Sequence, residues 1–238
     1  MDSGYSDRLA KMENWYCDLL GQEDSEQAFI LDYAPHRAFL QGLGGSIIDI
    51  GGGAGLAARY LDPGVDYFVV EPSPMWSRPE WAAFADKFRG LGPKPKFVDA
   101  PGENLPFADG KFDAALLLWT LNHVNDPAAC LREMARVLKA GGRARLVLED
   151  IEPDWTDLLH DTVRRIFGRL AGRRGIAGIH MHLIPAVSAK IHGRWPLQED
   201  HSRIADRDLK TWLRGTFEVS RRSWISGCLT YDLVKPRA

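Results

Sequence analysis

Ser46-Ile-Ile-Asp-Ile-Gly-Gly-Gly-Ala-Gly55 is the stretch on which the fold turns. Its first half, 46–50, is a short β-branched run, and glycines end it at once. That combination reads as a buried parallel strand turning sharply into the next element. Glycines at such a turn let the backbone pass close to a ligand, in the crevice beyond the strand's carboxyl end.

Outward from this stretch the chain alternates. LAARYL reads as a short helix and DYFVVE, 66–71, as a second strand. Ser77 and Pro79 start a helix on which Trp81, Phe84, Ala85 and Phe88 share one face, and KFVDA, 96–100, is a third strand. KFDAALLLW, 111–119, is too apolar for one face to meet water, so both should be covered. Asp126 then caps a helix with Pro127 at its first position, Leu131, Met134, Ala135 and Leu138 on its inner face and Gly141 just past its end. RARLVLE, 143–149, follows as strand five. After 200, ADRDLKTWL reads as a helix, and FEVSRRSWI with CLTYDLV as two strands joined near Gly227. The expected architecture is α/β: a Rossmann-like, mostly parallel seven-stranded sheet with a C-terminal antiparallel hairpin. At 238 residues it reads as one domain: N-terminal helices over 1–45, bent near Pro35, a cofactor-binding core over 46–150, a helical lid insertion over 151–200, and the closing helix and hairpin over 201–238.

Composition narrows the function. No apolar run is long enough for a membrane span, and the acidic amino terminus does not resemble a secretory signal, so a cytoplasmic protein is expected. Cys17, Cys130 and Cys228 have no metal or redox spacing. The net charge of -2 hides an asymmetry, with 15 basic and 25 acidic residues over 1–160 against 13 and 6 over 161–222. That basic stretch suits an anionic acceptor or a solvated helix, and is too small to argue for nucleic acid by itself.

Gly51, Gly53 and Gly55 form the turn, and Gly53, Gly55 and Ala58 also satisfy a G-x-G-x-x-A dinucleotide pattern. Asp49 would sit badly beside a pyrophosphate and suits the ammonium of a methionine tail. Glu71, at the end of the second strand and followed by Pro72, can accept both hydroxyls of a ribose in nicotinamide and methionine-adenosine sites alike. In this order the motifs resemble the class I S-adenosylmethionine-dependent methyltransferases, in their small-molecule, type 11-like branch. The resemblance covers about 46–150 and rests on acid-x-Gly-x-Gly-x-Gly, VVEPSPM, VDAPGENLPFADGKFDAALLLWTLNHVNDP and RVLKAGGRARLVLE. It implies S-adenosylmethionine as cofactor, S-adenosylhomocysteine as product, and Asp99, Ala100 and Trp119 as cofactor contacts, with the first two at the adenine.

Two histidines are the candidate catalytic groups. His123 follows the fourth strand on the acceptor side of the sheet, and His201 precedes the last helix, where QEDHSRIADRDLKTWLRGTFEV resembles the family's His-bearing loop with Thr216 inserted between Gly215 and Phe217. His180 and His182, with His192, have no carboxylate or cysteine partner in sequence, so no metal site is expected. The expected function is methyl transfer to a small-molecule acceptor, a hydroxyl or an amine. Methylation of RNA or protein, a non-catalytic cofactor-binding scaffold and a NAD-dependent oxidoreductase are the alternatives. Segment 151–200 is expected to close over the acceptor together with the amino-terminal helices.

Overall fold

A computed structural model describes residues 3–149, 151–152, 201–202 and 204–237. Strands β1 (Ser46–Ile50), β2 (Asp66–Val70), β3 (Lys96–Val98), β4 (Phe112–Leu118), β5 (Leu138–Leu148), β8 (Glu218–Ile225) and β9 (Cys228–Val234) form a seven-stranded sheet in the order β3-β2-β1-β4-β5-β9-β8. β1 to β5 run parallel, while β9 is antiparallel to both β5 and β8. This is the expected Rossmann-like sheet with its hairpin. Two further short strands, β6 (Ile151–Glu152) and β7 (Ile204–Ala205), pair in parallel as a separate ribbon that the sequence did not suggest.

Both faces of the sheet are covered, as the apolar strands require. Side chains alternate across a strand, so Ile47, Ala114, Leu116 and Leu118 enter one core while Ile48, Ile50, Ala115 and Leu117 enter the other. The first core lies under helices α2 (Ser25–Tyr33), α3 (Arg37–Leu40) and α4 (Pro79–Arg89), which contribute Phe29, Leu40, Trp81 and Phe88. The second lies under α5 (Pro127–Val137) and α6 (Asp206–Leu213), through Leu131, Met134 and Leu209. α1 (Ser3–Leu20) precedes them, and the expected bend near Pro35 is a 3-10 turn over Ala34–His36.

Local signals explain most boundaries. Asp126 Oδ1 accepts the Ala129 amide at 2.9 Å, and Pro127 opens α5. The end of α5 differs from expectation. Leu138 is extended and pairs with Phe112, so β5 begins five residues before the expected 143. Gly141, at φ 77°, turns the chain inside that strand, where its N–H reaches the Lys235 carbonyl at 2.9 Å. Strand pairing has thus overridden the helical periodicity of one leucine. Of the lid expected over 151–200, all but Ile151 and Glu152 lie outside the described residues.

The sheet centre should dominate stability. Leu116→Ala, at a fully buried site on β4, should cost roughly 2–5 kcal/mol, and Asp126→Ala about 1 kcal/mol through its lost cap. Urea denaturation of the two variants checks the order.

Candidate active site

Four of the parallel strands end at one edge, and the residues just beyond them face a cavity of about 540 Å³. Ile50 ends β1 and Gly51 to Ala54 follow it, Glu71 and Pro72 follow β2, Trp119, Thr120, His123 and Val124 follow β4, and Glu149 follows β5; all line it. α1 adds Met12, Trp15 and Tyr16, and α2 adds Phe29, Asp32 and Tyr33. Both amino-terminal helices therefore contribute to the wall of the cavity.

Beneath the glycine turn, Asp49 is 1% exposed on the same face as Ile47. Tyr67 on β2 donates its hydroxyl to Asp49 Oδ2 at 2.5 Å, whereas Oδ1 is buried without a hydrogen-bond partner. Burial pushes the carboxyl up to about 7 against the lowering effect of the Tyr67 bond. The first two positions of the turn have no room for side chains. A Cβ on Gly52 would stand 2.7 Å from the Asp49 carboxylate, and one on Gly51, at φ 66°, would stand 2.1 Å from the Thr120 methyl. Glu71 accepts the Gly53 amide on one oxygen at 3.2 Å and the Ser73 amide on the other at 3.0 Å. Burial, and then the nearby Asp49 and Glu13 charges, outweigh these two bonds and push Glu71 to about 7. Each carboxylate oxygen can accept twice, so Glu71 keeps acceptor capacity for a ligand.

Trp119 is a bulky residue held at φ 53°, a conformation that costs energy and gathers at functional sites. Its amide reaches the Val147 carbonyl at 2.7 Å, its indole N–H reaches Cys228 Sγ at 3.3 Å, and the Tyr33 and His36 rings meet it edge-on.

His123 and His201 come together although 78 positions separate them. Asn122 and Ser202 bind each other three times: Ser202 N–H and Oγ–H both reach the Asn122 carbonyl, at 2.8 and 2.6 Å, and Asn122 Nδ2 reaches the Ser202 carbonyl at 3.2 Å. The two imidazoles beside this clasp cross at 88° with centroids 4.7 Å apart. Glu149 joins them, its Oε1 3.6 Å from His201 Nε2. Sequence reading missed Glu149, although it closes an apolar strand just as Glu71 does.

Not every expected residue borders the cavity. Gly51, Gly53, Glu71, Pro72, Trp119, His123 and His201 do, whereas Asp49 and Gly55 do not line it. Asp99 is exposed just past β3, and Ala100 is buried in the core beside Ile50 and Val70. Neither lines the cavity, and Gly102 and Glu103 do so in their place. An unpartnered buried carboxylate oxygen under a glycine turn, with a second carboxylate at the next strand end, fits a ligand that joins a cationic amino-acid tail to a nucleoside.

Residues 48–146 match a family described as "Methyltransferase domain". An uncharacterized methyltransferase of Mycobacterium sp. (strain KMS) is 39% identical over 104 residues, 43% of this chain and 38% of that protein. A demethylmenaquinone methyltransferase of Paenarthrobacter aurescens (strain TC1) is 28% identical over 165 residues, 67% of this chain and 59% of that protein. The chain therefore spans less than two thirds of the length of either relative. Among solved structures, a SAM-dependent methyltransferase from Aquifex aeolicus shares the fold at 13% identity, with a TM-score of 0.55 over 91% of this chain and 95% of that one.

The Asp49 carboxyl gives a pH signature. Its folded pKa, about 7, lies above the ordinary value near 3.9 of an unfolded aspartate. Between those limits the folded state holds a proton that the unfolded chain has released, so stability falls as pH rises through the window and then levels off. Asp49→Asn keeps an acceptor for Tyr67 and removes the charge. Without ligand it should melt several degrees above the parent at pH 8, about 2–4 °C per kcal/mol relieved, with the gap closing near pH 4. Melting curves at both pH values check this.

Proposed function

We propose that this chain, whose residues 48–146 match the methyltransferase domain family, is a class I S-adenosylmethionine-dependent methyltransferase that methylates a small-molecule acceptor at a hydroxyl or an amine. The observation that carries this reading is the buried Asp49 oxygen without a partner, under a turn whose Gly51 and Gly52 leave no room for a side chain, and near Glu71. The relative named demethylmenaquinone methyltransferase supports a small-molecule acceptor.

In this reading Asp49 faces the ammonium group, directly or through water. Glu71 takes the ribose hydroxyls beside Pro72, while Gly51, Gly53 and Gly55 shape the turn. Asp99 and Ala100 hold the adenine, which requires an approach along the β3 edge, and Trp119 stands near the sulfur. When bound, the cofactor supplies a methyl group on a sulfonium; the acceptor's lone pair forms the new bond to carbon while the C–S pair goes to sulfur. The chain's own task is alignment and exclusion of water. The aromatic wall of Tyr16, Phe29, Tyr33 and Trp119 gives the cavity a low-dielectric side. His123 and His201 lie where a hydroxyl acceptor's proton must leave, and an amine acceptor needs only to arrive neutral.

Calorimetry should show binding of S-adenosylhomocysteine and none of NAD. Micromolar NAD binding with no response to S-adenosylhomocysteine would overturn the reading. Glu71→Ala should weaken that affinity about tenfold or more, since hydrogen bonds to a charged acceptor contribute roughly 1.5–3 kcal/mol each. His123→Ala should leave the affinity unchanged and lower kcat on a hydroxyl acceptor roughly 100-fold.

A further inference from the structure

Three side chains with metal-binding atoms converge on one part of the cavity wall. One ligand atom each from His123, Glu149 and His201 lies within 4.8 Å of the others. They come from three places in the chain: the turn after β4, the end of β5, and the segment entering β7. Independent backbone constraints hold all three. The Asn122–Ser202 clasp sets His123 beside His201. The β6–β7 ribbon pairs Ile151 with Ile204, which ties the chain just after Glu149 to the chain just after His201. His123 is further fixed by its own amide, which reaches the Thr120 carbonyl at 2.9 Å.

We propose that His123, Glu149 and His201 bind a divalent transition-metal ion of the zinc type, and that the ion takes an oxygen atom of the acceptor in its open position. The role toward the acceptor rests on the methyltransferase reading, whereas ion binding itself does not. Distance favours an ion over a plain acid–base pair. The 3.6 Å from His201 Nε2 to Glu149 Oε1 exceeds the usual 2.7–3.2 Å of an N–H···O bond. It lies close to the ~3.4 Å edge of a tetrahedron whose ligands stand about 2.1 Å from a central ion. Small side-chain rotations, of roughly 1 to 1.5 Å at the widest pair, would complete such a geometry.

The donor set narrows the ion. Two imidazoles and one carboxylate suit zinc, iron or manganese, whereas magnesium and calcium prefer oxygen alone. Three protein ligands leave at least one position for an external group, the arrangement of catalytic rather than structural sites. The cavity supplies that group's space, since all three residues line it. An acceptor hydroxyl whose oxygen meets the ion gives up its proton to water near neutral pH. Its lone pair is then free to form the bond to the methyl carbon, with the C–S pair departing to sulfur. The expectation from sequence of no metal site considered the cysteines and the histidines of 180–192. Glu149 completes a different set, whose members are remote in the chain.

The test uses the full chain, stripped with a chelator and dialysed against micromolar Zn²⁺, with retained metal measured by mass spectrometry. Calorimetry with S-adenosylhomocysteine on the same samples reports the fold and the cofactor site. About one equivalent of zinc should remain, and His123→Ala, His201→Ala and Glu149→Gln should each lose it while keeping the parent's affinity for S-adenosylhomocysteine. Substituting Co²⁺ should give a visible absorption band that disappears in the same variants. S-adenosylhomocysteine bound with no zinc retained, or zinc that survives the three substitutions, overturns the site and leaves the methyltransferase reading in place. Zinc bound through these residues with no S-adenosylhomocysteine binding would sustain the site and remove that reading.

Discussion

A carboxylate held out of water beneath a turn of glycines is the constraint on which this structure depends. Asp49 is buried on a strand face, and one Tyr67 hydroxyl satisfies only one of its oxygens. Burial of an unpaired carboxylate is expensive, and the chain lowers that cost by keeping the group near neutrality, at about 7. The turn above must then be glycine for a steric reason, because Gly52 and Gly51 have the Asp49 carboxylate and Thr120 where a Cβ would stand. Under the proposed function, the residue that costs stability is the one that would meet the ligand's ammonium.

The parallel sheet makes the site available. Parallel strands all end at one edge, so residues far apart in sequence meet there without any need for long loops. Glu71 follows β2, Trp119 and His123 follow β4 and Glu149 follows β5, and β1 and β4 are neighbours at the centre of the order β3-β2-β1-β4-β5-β9-β8. The strained backbone at Trp119 belongs to the same logic. Its conformation is held by the amide bond to Val147 on β5, the indole bond to Cys228 and the rings of Tyr33 and His36. The sheet and the amino-terminal helices together stabilise a conformation that the residue alone would avoid.

Much of this was legible before any coordinates. SIIDI followed by glycines, the uninterrupted apolar run of β4 and the Asp126-Pro127 start of α5 each carry a local physical signature, and each stands where it was expected. What was not legible depends on pairing between distant residues. Leu138 fits the helical face by spacing, yet its pairing with Phe112 draws it into β5. The Asn122–Ser202 clasp spans 80 positions and leaves no periodic trace, so nothing in the sequence brings His123 to His201. Glu149 did carry a signal, an acid closing an apolar parallel strand. Asp99 and Ala100 show the reverse: their motif is present in order, but the structure places them outside the cavity lining.

The central claim is that burial leaves the Asp49 and Glu71 carboxyls, both pushed up to about 7, partly protonated near neutral pH, and that Asp49 gives up its share when a cationic ligand arrives. Calorimetric titration of S-adenosylhomocysteine at pH 6.5, repeated in buffers with different ionisation enthalpies, measures the protons exchanged on binding. The account predicts net proton release, reduced in Asp49→Asn, because the ligand's ammonium favours the ionised Asp49 carboxylate. Tight binding with no proton exchange, or with proton uptake, would contradict it.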